Sequence, residues 1–524
     1  MEEFQKHWPT LLTVAGVALL CFLSLRIGAA FAYLGFTSAD TCWLLSLGQI
    51  IDQTRAIPSR DLFSFTLPLC AELGQPQPYI VYQWLSELVF FYIERGFQPI
   101  GLLIAGGMVT ALAFLCIPLR ACIRANAPPI WSFLALIGAS TTSNIRSMIR
   151  PELFSCLILA LYMAVLQPLR YRQVSDGAKG TIDWKSIALT TLFMIVWCNM
   201  HPGFISGIII VAIYALSSLL EDLAKKRTLS SATKTLLLCF FFSSLATLVN
   251  PYGLGLWLYL PHLFFAPINA RFTECKHLLA SPLSVAGYFL FLSLVCCTAV
   301  ALTIRNCSMK TPEILRSPKF VSSVLIVIIA VCFGLAVMRL TPLVAIIMVV
   351  ETASFIGNRA EESLWPKLVW HNRLSYLFLS LTTLVFVALG TLDLVRKGVT
   401  VTIPVTSRGF VPSFPSVQYF MHAYKKGRVI CFLSIADMLD LYWGPHSALF
   451  ADSRMDAYSE KITHDYVTIL SGKNGWRELL DSYHIDWVFL YPSNPLCHLL
   501  ELEPGWNAIY QDSAAKIFQR SQQE

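Results

Sequence analysis

Charge is what this sequence has least of. Asp, Glu, Lys and Arg make up 14% of 524 residues, where a soluble chain of ordinary composition carries about a quarter. A soluble globular fold of this length is therefore excluded. Its place is taken by apolar residues, at 56% of the chain, with a mean hydropathy of +0.60. Motifs that would hold nucleotides or metals are also missing. There is no GxxxxGK[ST], no GxGxxG, no HExxH and no CxxC pair, so nucleotide-driven transport, redox chemistry and zinc hydrolysis find no support. The 15 Cys stand mostly inside apolar runs and read as small packing residues. Cys42, Cys70, Cys275, Cys431 and Cys497 fall in segments placed outside the cytoplasm, where nothing specifies a disulfide.

What is present is a series of apolar runs of about 17–25 residues, each long enough to cross a bilayer. The spans predicted are 10–34, 98–119, 129–144, 152–169, 186–200, 203–221, 235–250, 284–304, 320–338, 342–357 and 374–395, eleven in all. The first run continues without a good cleavage site, so it reads as a retained helix rather than a signal peptide. The net charge of +7 is no nucleic-acid footprint, because most basic residues stand in short loops between spans. With the N-terminus inside, the inner loops hold 18 Lys and Arg and the outer loops 8. That bias sets the C-terminal region outside the cytoplasm.

Two outer loops are long. In the first, 35–97, Asp40 to Gln53 reads as an amphipathic helix with Trp43, Leu44, Leu47, Ile50 and Ile51 on one face. Gln83 to Glu94 reads as a second. Both are too short to span and are expected to lie in the membrane interface. The other loop, 251–283, carries Trp257, Tyr259, His262 and Arg271. After about Thr400 the composition changes. Strands are predicted at 429–433, 448–451, 487–491 and 507–510, and helices at 456–470 and 476–483, which suggests a small α/β domain. The chain is thus expected to divide into a transmembrane part, 1–398, and an extracytoplasmic α/β part, 399–524. Inverted repeats of the kind found in many secondary transporters are not apparent.

Polar groups at the outer ends of the helices are the candidates for chemistry. Asp40, just after the first helix, is a general base toward a hydroxyl or a cap for the helix that follows. Asp61 binds substrate or orders a turn. Glu87 lines a site or sits on a solvated face. Arg146, Arg150 and Glu152 cluster where one helix ends and the next begins. Their guanidiniums suit a phosphate, of a substrate or of a lipid headgroup. His201, in the tight turn Asn199-Met200-His201-Pro202-Gly203, contacts substrate or metal, or is structural. Arg339, between two closely spaced runs, pairs with a substrate anion or a lipid phosphate. Asn250-Pro251-Tyr252-Gly253 is a turn by composition. Deep in helices stand Arg26 and Glu351, neither with an evident partner.

The order of these pieces resembles the GT-C superfamily of membrane glycosyltransferases, which includes the aminoarabinose and protein mannosyl transferases. More closely it looks like a largely uncharacterised bacterial group within it. The likeness runs through Gly48-Gln49-Ile50-Ile51 to Pro58, Asp61, Phe63 and Ser64, then Trp84-Leu85-Ser86-Glu87 and Arg150-Pro151-Glu152. It continues in His201-Pro202-Gly203-Phe204, Asn250-Pro251-Tyr252-Gly253 and Phe450-Ala451-Asp452-Ser453-Arg454. The resemblance implies a polyprenyl-phosphate sugar donor, an acceptor at the outer face of the bacterial inner membrane, and inverting transfer. It makes Asp40 the base and Arg146 or Arg150 the holder of the leaving phosphate. It leaves a divalent metal open and asks for no other cofactor. The chain departs from the pattern by carrying Glu152 where several members have Asp, and Asp40-Thr41 where some have paired acids. The rival readings are a transporter or lipid flippase, and a non-catalytic assembly protein presenting Trp443, Trp476, Trp487 and Trp506 to a partner.

Overall fold

The computed structural model describes residues 40–72, 74, 77–143, 149–171, 181–226, 228–265, 276–280, 283–310, 316–357 and 415–521. In chain order the helices up to the middle of the chain are α1 (Asp40–Thr54), α2 (Thr66–Glu72), α3 (Trp84–Ala111), α4 (Ile117–Arg124), α5 (Pro129–Thr142), α6 (Glu152–Tyr171) and α7 (Trp184–Met200). Then come α8 (Phe204–Ala224), α9 (Ser231–Ala246), α10 (Leu254–Phe265), α11 (Leu283–Lys310), α12 (Pro318–Ala336) and α13 (Thr341–Gly357). The C-terminal stretch holds α14 (Pro415–Ala423), β1 (Arg428–Cys431), α15 (Leu433–Trp443), α16 (Glu460–Leu470), α17 (Trp476–Ser482), β2 (Ile485–Leu490), α18 (Pro495–Glu501), β3 (Trp506–Gln511) and β4 (Lys516–Arg520). The chain divides into two compact units. One, the bundle unit, takes 103–253 and 273–400 with residues 1–30; the other, the sheet unit, takes 31–102, 254–272 and 401–524.

Among the described residues six helical stretches are long and apolar enough to cross a membrane: Ile104–Arg124, Glu152–Tyr171, Phe204–Ala224, Ala286–Cys307, Pro318–Ala336 and Met338–Gly357. The spans expected at 129–144, 186–200 and 235–250 appear as helices of 14, 17 and 16 residues, of which the 17-residue helix alone reaches the lower limit of about 17 for a crossing. Those expected at 10–34 and 374–395 lie outside the described residues. Helix starts follow local chemistry. The Asp183 carboxylate accepts from the Ser186 amide at 3.1 Å to open α7, and the Ser230 hydroxyl accepts from Thr233 at 3.2 Å to open α9. α3 is broken at Gln98, at φ 58°, where the following Pro99 disfavours helical backbone. Within the bundle unit α13 is the central helix. The window around it is 83% buried, against 33% for α12, which leaves the outer face of α12 to lipid.

The sheet unit is built on a four-stranded sheet of order β1-β2-β4-β3, with β1 parallel to β2 and the other pairs antiparallel. Side chains alternate across it as the pleat requires. Val429, Cys431, Trp487, Phe489 and Ile517 enter one core, and Ile430, Val488, Leu490 and Phe518 enter the other. The strand expected at 448–451 is reduced to bridges at Leu449, which pairs with Ser64 on one side and Val429 on the other. Through Leu449 the segment around Ser64 is tied to the sheet, with Phe65 donating its amide to Leu449 O at 3.0 Å.

α1 packs on α15. Its predicted apolar face is buried, but so are Thr41, Cys42, Leu45, Ser46 and Gly48. Protein therefore encloses a helix that the sequence pattern placed one-sided at the membrane surface. Gly48 makes the fit: a Cβ there would stand 2.3 Å from the Glu87 carbonyl oxygen on α3. Cys42, Cys70, Cys431 and Cys497 are free thiols, all buried.

Candidate functional site

The sheet unit gathers an excess of buried acid. α15 carries Asp437 and Asp440 on the face that meets α1, and both are fully buried. After Leu449 the chain turns back with Asp452, also fully buried, and Arg454. Arg454 holds two carboxylates at once. Nη2 lies 2.7 Å from Asp61 Oδ1 and also bonds Asp452 Oδ2, while Nε donates to Asp452 Oδ1 at 3.0 Å. The guanidinium lies over the Phe63 ring, 5.0 Å from its centroid. Asp61 makes the expected turn as well, accepting from the Ser64 amide at 2.8 Å and its hydroxyl at 2.5 Å. Burial alone would raise the Asp61 pKa, but Arg454 and the Ser64 hydrogen bonds overcome it and hold the carboxyl below the usual range.

The other two acids lack such a counter-charge. Burial, then Asp40 and Asp452, push Asp437 well above the ordinary carboxylate range, against hydrogen bonds from the Ser453 amide at 3.0 Å and hydroxyl at 2.5 Å. Burial and Asp452 do the same to Asp440, with Arg454 opposing. Among the described residues neither Asp440 carboxyl oxygen has a hydrogen-bond partner. The nearest base is His446 Nε2, at 3.7 Å, too far to bond. Burial lowers the His446 pKa to about 4, so the ring is neutral at pH 7 and offers no compensating charge.

Asp40, the first residue of α1, is only half-buried and stands close enough to Asp437 to be its strongest charged neighbour. Glu87 corrects the expectation of a solvated face. It is 1% exposed, Oε2 has no hydrogen-bond partner among the described residues, and burial raises its pKa to about 8 against the pull of Arg454. Its helix packs that face onto α1 at Gly48, which is why it is not in water.

The bundle unit has two polar centres, at opposite ends of α6. At the start, Glu152 Oε1 accepts from Arg339 Nε at 2.9 Å and Nη2 at 2.7 Å. Arg339 thus has a protein carboxylate, where the sequence suggested a lipid phosphate or substrate anion. Ser155, one turn on from Glu152 and on the same face, meets His201 Nδ1 at 2.8 Å and accepts from Trp197 Nε1 at 2.7 Å. The Gly203 amide also donates to His201 Nδ1, at 3.0 Å. A nitrogen that accepts from a backbone N–H carries no proton, so the imidazole is neutral with its hydrogen on Nε2. Gly203 is required here, since a Cβ would sit 2.4 Å from Ser155 Oγ. The structure therefore brings Glu152, Ser155, His201 and Arg339 to one end. Arg150 sits in the turn that opens α6, its carbonyl accepting from Leu153 at 3.0 Å. Arg146 lies outside the described residues. Asn250 closes the expected turn, its side chain accepting from Tyr252 at 2.8 Å.

At the far end of α6, Glu351 gains the partner its sequence position did not reveal. Arg170 Nη1 is 3.4 Å away, with both side chains fully buried. Tyr214 and Tyr171 donate to the carboxylate at 2.6 and 3.2 Å. The Arg170 guanidinium lies 4.3 Å from the Tyr214 ring centroid and donates to Lys319 O and the hydroxyls of Ser322 and Ser323.

Among the described residues no cluster of three or more His, Cys, Asp or Glu has the geometry to hold a metal ion. The sequence matches no protein-family model and no curated protein. Six membrane-length helices among the described residues, with a small C-terminal sheet, define a multi-pass membrane protein.

Proposed function

We propose that this protein is a membrane glycosyltransferase of the GT-C type, moving a sugar from a polyprenyl-phosphate donor to an acceptor hydroxyl. In this reading the chain crosses the bacterial inner membrane eleven times, with its N-terminus in the cytoplasm and residues 399–524 outside. The observation that carries it is the half-buried Asp40 beside the fully buried Asp437. Two neighbouring carboxylates do not both ionise readily. Burial favours the protonated form of Asp437, and Asp40 is the more accessible of the two carboxylates. Asp40 takes the acceptor's hydroxyl proton as the oxygen attacks the anomeric carbon. The bond from that carbon to the phosphate oxygen breaks, and the phosphate leaves with the electron pair. The resemblance gives the phosphate-holding role to Arg146 or Arg150, and within the bundle unit Glu152 orients Arg339.

The buried Arg170–Glu351 pair favours a second reading, a transporter or lipid flippase, since ionisable pairs within a bundle mark transport paths in other membrane proteins. Of the four Trp that the assembly-protein reading presents to a partner, Trp476, Trp487 and Trp506 are 4%, 2% and 9% exposed, and Trp443 is half-buried. The test is release of polyprenyl phosphate from a polyprenyl-phosphate sugar by the purified protein in nanodiscs. Release that falls in Arg150→Lys, which keeps charge but loses the bidentate fork, supports transfer. Movement of the intact donor between leaflets without release would replace transfer by transport.

A further inference from the structure

α10 is a short helix with two apolar faces and no charged residue. At 12 residues it is about 18 Å long, too short for a hydrocarbon core of about 30 Å. One face is committed to the sheet unit. Leu256, Tyr259 and Leu260 are buried there. The Tyr259 hydroxyl donates to Asp456 Oδ2 at 3.1 Å, and His262 Nε2 meets the Asp456 carbonyl at 3.0 Å. The opposite face runs through Leu254, Leu258, Pro261 and Phe265, a spacing of four, three and four residues that makes one stripe. Leu254 is 64% exposed, Leu258 74% and Phe265 83%. Isolated exposed apolar side chains need no explanation, but a continuous stripe marks a contact.

We propose that this stripe is a lipid-contacting surface, and that α10 lies in the membrane interface as an anchor for the sheet unit. Chain continuity identifies the occupant. α9 ends eight residues earlier; toward its end the exposed residues Phe241 and Leu245 are apolar, as are Leu248 and Val249 just after it. The Asn250 turn then leads straight into Leu254, so along the chain exposed apolar residues resume within a few residues of the end of α9. Tyr252 and Trp257 flank the junction, the residue types that settle at headgroup level. The inner face carries the polar bonds and the outer face none, as for a helix lying in the interface plane. Asp456 stands two residues beyond Arg454, so the anchor is fixed to the segment that carries the buried carboxylates. In that clause alone the inference leans on the transferase reading, for it would hold the site at the depth of a lipid-linked donor.

The test is photocrosslinking on the full chain in nanodiscs of phosphatidylethanolamine and phosphatidylglycerol, with p-benzoylphenylalanine placed singly at Leu258, Phe265 or the exposed His498. Phospholipid adducts at Leu258 and Phe265, absent at His498, are the expected result. Adducts to another peptide of the same chain, adducts to a second copy, or no adduct at either position would each overturn the proposal. Should a substituted chain misfold, amide exchange across 254–265 in the native protein decides instead. Exchange faster in detergent-free nanodiscs than in the neighbouring helix α9, at the rate of an exposed loop, would contradict the anchor, and slow exchange is expected. Neither readout depends on sugar transfer.

Discussion

The bundle unit and the sheet unit each bury arginine against carboxylate, and they balance the charge differently. Arg170 meets one acid, Glu351, and two tyrosines complete that acid's hydrogen bonds. Arg454 meets two acids, Asp61 and Asp452, and two more, Asp437 and Asp440, lie in the same enclosure with no cation of their own. The first arrangement closes on itself and can be read as structure alone. The second is short of positive charge, so it must hold protons. A centre that stores protons next to a more exposed carboxylate is equipped for acid–base chemistry, which is the physical difference between the two regions.

That comparison fails most visibly if Arg454 can be removed cheaply. Arg454→Met leaves two buried carboxylates facing each other, and a loss of about 3–5 kcal/mol is expected, read as a fall in the melting temperature of the detergent-solubilised protein. A near-normal Tm would show that the enclosure is wetter than described. Glu351→Gln sharpens the same point from the bundle side. Gln keeps the Tyr214 contact but leaves Arg170 without its counter-charge, so a loss near the lower end, about 3 kcal/mol, is expected; no loss would deny the pair its structural role.

A smaller effect should appear in the pH dependence of stability. The folded-state pKa of Glu87 is raised to about 8 from a reference of 4.5, and this part of α3 precedes the membrane span that starts at Ile104. The folded protein keeps a proton that the unfolded chain gives up above its own pKa. That contribution is full below the unfolded pKa and is lost as pH rises through the folded one, at about 1.36 kcal/mol per unit of difference. The wild type should therefore lose Tm between pH 5 and pH 8 more steeply than Glu87→Gln, and parallel curves would place Glu87 in water. The smallest change is expected at Arg339→Ala. The Arg339 side chain is 42% exposed, so its pair with Glu152 is worth about 0.2–1 kcal/mol; a larger loss would mean that the pair is a structural lock.

How far the sequence reached depended on whether a feature is local. The apolar runs of α6, α8, α11, α12 and α13 are legible because each helix carries its own periodicity and length. So are β1 to β3 and the Asn250 turn, whose signals lie within a few residues. β4 went unread, because Lys516-Ile517-Phe518-Gln519-Arg520 offers only two apolar residues for alternation. α15 went unread too, and with it Asp437 and Asp440. Its acids interrupt the apolar pattern, and what buries them is α1, nearly four hundred residues earlier in the chain. Glu351 looks solitary in the sequence for the same reason, since Arg170 falls just beyond the predicted span 152–169. Glu87 was misplaced because a single helix cannot announce that its second face meets a glycine on another.

The central claim is that Asp40 accepts a proton, and one pair of substitutions tests it. Asp40→Asn keeps size and capping ability, since Asn caps about as well as Asp, but it cannot act as a base. The measurement is polyprenyl phosphate release at matched protein amounts, with Tm recorded on the same samples. The account predicts an unchanged Tm and release lowered by about 10²–10⁴-fold, the usual worth of general base catalysis. Wild-type release in Asp40→Asn, with Asp40→Ala losing only about 0.5–2 kcal/mol of stability, would contradict it and leave Asp40 a helix cap.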